Sequence, residues 1–345
     1  MEEATEPKPT VEAARRAQIQ EALISWFGEN GRDLPWRCTR DPWCVLVSEV
    51  MLQQIQVRRA IPFYDRFLAR FPTVDALAEA PLAEAIRVWD DLGRYRRVVY
   101  LHRTARIVMD EHDGSIPSDP AELLKLPGVG PYTAGAVACF AYEKDAAFLD
   151  TNMRRVLHRL FFGLRTATSA ADKDLLRMAT ELVPSGRGWR WNQALMETGA
   201  LLCTARNPRC DECPLREGCC ARAESILSGW PRPERKSPAY RYEDSNRYYR
   251  GRVLAELREI SHAGGEDIEL RVLGRRIKQE LRRAGILLAA RGGREPLQRR
   301  TAKGLVRVGG RKSAGDGGRR TSAIRCRSRE TFAGAEGKSS LQIGT

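Results

Sequence analysis

No stretch of about 18 apolar residues occurs in the 345-residue chain, which excludes an apolar membrane-spanning helix. Met1–Thr10 is acidic and carries prolines where a secretory leader would be basic and then apolar, so no signal peptide is expected. Strand-like alternation is scarce as well, and 42% hydrophobic residues are enough for a real core. These absences describe a soluble, helical, globular protein. Its expected place is the cytoplasm, on the nucleoid if the source is bacterial.

Acidic residues are scarce in one place. From Leu281 to the end, 16 Lys and Arg face 4 Asp and Glu, so most of the net charge of +14 sits in the last 65 residues. That stretch is rich in Gly, Arg and Ser without sustained periodicity, and residues 281–345 are expected to be a disordered basic tail. Basicity alone therefore does not carry a function.

Before the tail, apolar residues recur at helical spacing. Helices are expected over Val11–Phe27, Pro42–Val57, Leu82–Leu92, Arg94–His112, Tyr132–Tyr142, Thr151–Phe161, Ala170–Val183 and Trp191–Leu202, with Thr73 and Ser118-Asp119-Pro120 as N-caps of others. The fold class is an all-α core of about ten helices. Its expected organisation is a disordered N-terminus (1–10), a main domain (11–230), a linker (231–245) and a small winged-helix-like module (246–280) before the tail. The module's two helices would be Arg247–Ile260 and Asp267–Leu281.

Within the core, Leu126-Pro127-Gly128-Val129-Gly130-Pro131-Tyr132-Thr133 holds two glycines two residues apart, and Pro131 opens a helix. Such a turn leaves backbone N–H groups to face an anion, a nucleic-acid phosphate being the obvious one, although a plain turn between helices has the same spacing. Asp150 precedes an apolar-periodic helix and reads as its N-cap. Glu49 lies in an otherwise apolar helix, where burial would raise its pKa to suit a general acid.

Nine cysteines would be odd as disulfides in a cytosolic protein. Four of them, Cys203, Cys210, Cys213 and Cys219, are separated by six, two and five residues, a spacing that suits an iron–sulfur cluster or a zinc ion. Cys220 competes with Cys219 for the fourth position. Cys38, Cys44 and Cys139 read as small buried residues.

The hairpin, an aspartate about twenty residues after it and the six-two-five cysteine loop together resemble the helix-hairpin-helix DNA base-excision glycosylases, which include endonuclease III and adenine DNA glycosylase. The resemblance runs from about Asp33 to Ala221. It implies a 4Fe-4S cluster on Cys203, Cys210, Cys213 and Cys219, and DNA contact by Leu126, Gly128, Val129 and Gly130. Members that cut the DNA backbone carry a lysine where this chain has Tyr132. A tyrosine cannot form an imine, so the resemblance implies a monofunctional glycosylase with water as the final nucleophile.

By the same resemblance Asp150 stabilises the sugar cation, with Tyr132 and Asn152 in support, and Glu49 protonates adenine, a residue endonuclease III lacks there. Gln54, with Gln53 beside it, matches an intercalating glutamine, while Arg94 takes the place of an intercalating tyrosine. The implied reaction is hydrolysis of adenine mispaired with 8-oxoguanine or guanine. Its partner is double-stranded DNA carrying a mismatch or lesion, with no membrane, and its working state is a monomer. The alternatives are a glycosylase for another mismatched or deaminated base (T:G, hypoxanthine) and a noncatalytic DNA-binding relative.

Overall fold

A computed structural model of the protein describes residues 11–164, 171–230, 246–262, 267–283 and 305–307. Among these are fourteen α-helices and two strands of three residues each, so the architecture is helical as the sequence predicts. The expected N-terminal segment and linker, with most of the tail, lie outside the described residues.

Helix α1 (Ala13–Asn30) leads to α2 (Pro42–Leu52), which begins on two local signals. Asp41 caps it by accepting from the N–H groups of Trp43 (2.7 Å) and Cys44 (3.2 Å), and Pro42 takes the first helical position. Trp43 to Met51 are buried without a break, so α2 lies inside the molecule rather than on its surface.

The expected helix Pro42–Val57 is in fact two. Helix α2 ends at Leu52, a turn over Gln53–Gln56 follows, and α3 (Val57–Arg70) starts afresh. The carbonyls of Val50 and Met51 accept from the buried Arg97 side chain at the point where the helix stops. Then come α4 (Val74–Glu79), α5 (Leu82–Trp89) and α6 (Arg96–Glu111), the last starting two residues later than expected because Gly93 and Arg94 adopt left-handed backbone. Thr73 stands at the N-cap of α4, and Asp119 caps the short α7 (Pro120–Leu123) through the N–H of Ala121. After the hairpin, α8 (Pro131–Phe140) is buried from Thr133 to Phe140.

Helices α2 to α8 pack into one body. The second consists of α9 (Thr151–Phe162), α10 (Ala171–Leu182), α11 (Gly188–Leu201) and α12 (Cys220–Ser228), with α1 folded back onto α11. Two glycines permit the close approaches between elements near the junction. A Cβ on Gly135 of α8 would stand 2.8 Å from the Phe148 Cβ, and one on Gly199 of α11 would stand 2.7 Å from the Asn152 Cβ. Cys44 and Cys139 are buried as expected, whereas Cys38, just past the turn at Pro35–Arg37, is exposed.

Helices α13 (Asn246–His262) and α14 (Leu270–Arg283) form a separate small core, Leu273 and Ile277 packing against Tyr248, Tyr249, Val253 and Leu257. Residues 267–269, expected to be helical, instead form β1 (Asp267–Glu269), which pairs antiparallel with β2 (Leu305–Arg307). The module thus takes three residues from the segment expected to be disordered, and α14 runs three residues past the expected boundary at 280.

Candidate active site

The junction of α2, α8 and the start of α9 brings Glu49, Tyr132, Asp150 and Asn152 together. Glu49 is buried, and its Oε2 has no hydrogen-bond partner among the described residues. Burial, helped by the negative charge of Asp150, raises its pKa to about 7, against the opposing pull of a hydrogen bond from Tyr132 and the charge of Arg37. The carboxyl group is therefore partly protonated near neutral pH. Tyr132 is held edge-to-face on Phe148 with ring centroids 5.5 Å apart, and burial keeps its hydroxyl in the neutral phenol form.

Asp150 occupies a different environment. It caps α9, its Oδ1 accepting from the Met153 N–H at 2.6 Å. Although it stands at a helix N-terminus, burial raises its pKa. The backbone N–H groups of Met153 and Asn152, the charge of Arg155 and the Asn152 side chain all act the other way and favour the carboxylate. The two neighbouring carboxyl groups thus sit in unlike surroundings, Glu49 with a single hydrogen bond from Tyr132 and Asp150 surrounded by donors. Asn152 also accepts from Arg155 at 2.8 Å, and Arg155 donates to the carbonyls of Gly199 and Cys203, each at 2.6 Å.

The sequence reading missed a third carboxylate. Glu197, 1% exposed on α11, accepts from Arg32 (2.6 and 2.8 Å) and Arg37 (2.8 Å), while Arg37 also donates to Gln193 at 2.7 Å. Burial alone would raise its pKa, but the two guanidinium groups outweigh it and hold Glu197 at about 2. The signal was available: like Glu49, it is an acid in an apolar helix.

In the hairpin Gly128 has φ +80°, and Thr104 donates to the Pro127 carbonyl at 3.1 Å. The N–H groups of Leu126 and Val129 are used within the turn, on the carbonyls of Leu123 and Leu126, and both side chains are buried. In this state those two N–H groups stay within the turn. Gly128 and Gly130 make no such backbone bond among the described residues, and the space beside Gly130 is open. Gln54 and Arg94 are exposed, both at positive φ (59° and 52°), and Gln53 is half-buried before them.

Cys203, Cys210, Cys213 and Cys219 line one cavity with Arg159, Arg209 and Trp230, whereas Cys220 opens α12 and does not line it. Among the described residues no three His, Cys, Asp or Glu side chains converge closely enough for a single metal ion. Four thiols around one cavity are a donor set that fits an iron–sulfur group.

Comparison with known proteins gives the following. Residues 47–182 match the model for HhH-GPD superfamily base excision DNA repair proteins, and 203–219 match the iron-sulfur binding domain of endonuclease III. The chain is 42% identical over 238 residues to an adenine DNA glycosylase of Mycolicibacterium smegmatis, covering 69% of this chain and 79% of the relative. It is 39% identical over 257 residues to that of Mycobacterium tuberculosis, covering 73% and 82%. Among solved structures, a thermostable thymine-DNA glycosylase aligns with a TM-score of 0.57 at 31% identity, over 61% of this chain and 97% of that one.

Proposed function

The chain belongs to the adenine DNA glycosylases of the HhH-GPD superfamily, and from that premise we propose that it hydrolyses the N-glycosidic bond of adenine mispaired with 8-oxoguanine or guanine. The observation that carries the reading is the buried carboxyl of Glu49, its Oε2 without a partner among the described residues and its pKa about 7, beside Tyr132 and Asp150. A purine leaves readily once its ring nitrogen is protonated, and this buried group still carries a proton in part at neutral pH.

As the bond breaks, positive charge develops on the sugar, and the Asp150 carboxylate stabilises it. Asn152 fixes the carboxylate, and the neutral Tyr132 phenol hydrogen-bonds Glu49. Water then attacks the sugar carbon and gives its proton to the Glu49 carboxylate, which lost one to the departing base. No amine stands in the hairpin to form an imine, so the product is an abasic site in an unbroken strand.

Gly128 and Gly130 receive a phosphate through their N–H groups, while Gln54 and Arg94 enter the duplex as the base leaves it. Cys203, Cys210, Cys213 and Cys219 hold a 4Fe-4S cluster, which when bound cross-links the loop that Arg155 ties to Asn152. The protein acts as a monomer in the cytoplasm on duplex DNA; no helix among the described residues is long and apolar enough to cross a membrane.

The likeness to a thymine-DNA glycosylase keeps thymine in a T:G pair as the second reading. A panel of duplexes with A:8-oxoguanine, A:G, T:G and hypoxanthine pairs, treated with alkali after incubation, separates them. Alkali-dependent breaks at adenine are expected; breaks only at thymine or hypoxanthine, or none, would overturn the reading.

A further inference from the structure

Arg97 is buried on α6, and among the described residues its hydrogen bonds all go to backbone carbonyls, none to a carboxylate. Nη1 donates to Val50 (3.0 Å), Met51 (2.7 Å) and Gln53 (3.0 Å) at the end of α2, and Nη2 donates to Gly93 (3.2 Å) before α6. The guanidinium lies 5.3 Å from the Trp89 ring centroid, and Trp89 itself donates to the Gly93 carbonyl at 2.9 Å. A buried cation without a counter-ion is an expensive way to terminate one helix. It needs a reason beyond packing.

The reason lies in which carbonyls it holds. Gln53 immediately precedes Gln54, and Gly93 immediately precedes Arg94; both Gln54 and Arg94 are exposed and at positive φ (59° and 52°), as Asp113 and Glu143 are elsewhere. A side chain reaches the left-handed region only when its surroundings over-determine the backbone. Fixing the carbonyl before each residue fixes the peptide plane about which its φ is set. One guanidinium therefore sets the aim of two side chains forty residues apart in sequence.

We infer that Arg97 is a positioning residue that couples the Gln53-Gln54 and Gly93-Arg94 loops into one pincer, so that Gln54 and Arg94 enter the duplex together when the base is extruded. The inference rests on the proposal above that both residues enter DNA. Lysine is a poor replacement, because a single ammonium lacks the planar fork that spans both loops.

The test uses the full chain and a duplex with 2-aminopurine, whose fluorescence rises on extrusion, placed opposite 8-oxoguanine. Wild-type protein is expected to give the rise, Arg97→Met to slow it at least about tenfold per folded molecule, and Arg97→Lys to recover part of it. The effects of Gln54→Ala and Arg94→Ala on extrusion are expected to be coupled in the wild-type background and additive in Arg97→Lys. The pH midpoint of adenine release, which belongs to Glu49, is expected to stay in place in Arg97→Lys. Extrusion at the wild-type rate by folded Arg97→Met, or equal coupling in both backgrounds, would overturn the inference alone. No fluorescence rise with wild-type protein would fail the base-extrusion reading and the inference together.

Discussion

Glu49 and Glu197 show how the same side chain is tuned in opposite directions within one molecule. Glu49 has lost its solvent and gained no full partner, so its proton is held up to a pH of about 7. The folded state therefore binds that proton more tightly than the unfolded chain does, and stability falls as pH rises from about 4.5 through 7. Glu49→Gln is expected to melt close to wild type at pH 4 but to gain up to about 3 kcal/mol over it at pH 8, as read by thermal or urea unfolding at the two pH values. Glu197, held at about 2, has the reverse sign: its contribution is full above about 4.5 and is lost as pH falls towards 2. Glu197→Gln leaves the Arg32 and Arg37 charges uncompensated, which should destabilise the fold by about 3 kcal/mol. Its other expected effect is on Glu49: with one negative charge gone and Arg37 unopposed, the pH midpoint of adenine release moves down.

Where helices meet, the site depends on atoms that are missing. Gly199 lets α11 lie against the start of α9, and a methyl group there would press on the Cβ and carbonyl of Asn152. Gly199→Ala is expected to lower single-turnover cleavage about tenfold or more while DNA affinity changes little, with about 1–3 kcal/mol lost in stability. Gly128→Ala acts elsewhere, since its left-handed φ and the Tyr100 Cβ 2.9 Å away oppose any side chain; weaker DNA binding, read by fluorescence anisotropy, is its expected first sign. Much of this was legible in the sequence. Helical periodicity gave the core helices, and the glutamate in an apolar run, the Gly-x-Gly turn and the aspartate cap gave the residues that converge. The break after Leu52 was not legible, because it depends on an arginine 45 residues onward that supplies donors to the helix end. Nor was the β1–β2 pairing, in which three residues of an otherwise Gly- and Arg-rich tail are extended against Asp267–Glu269. Local patterns report local structure, and both features are made by contacts distant in sequence.

Taken whole, the molecule places its chemistry between two helical bodies and ties a cysteine loop to it through Arg155 and Cys203. Cys219→Ser is expected to lose the visible absorbance of the iron–sulfur group and to lower Tm, while Cys220→Ser keeps both, since Cys219 lines the cavity and Cys220 does not. That pair of spectra checks the ligand set without reference to activity. The proposed reaction comes down to one proton on Glu49, and the most direct measurement is the pH dependence of single-turnover adenine release from a duplex with one A:8-oxoguanine pair, for wild type and Glu49→Gln. The wild-type rate is expected to fall as pH rises through about 7, and Glu49→Gln to be at least about 100-fold slower. A wild-type rate that climbs through pH 7, or a Glu49→Gln protein that releases adenine as fast as wild type, would contradict the account.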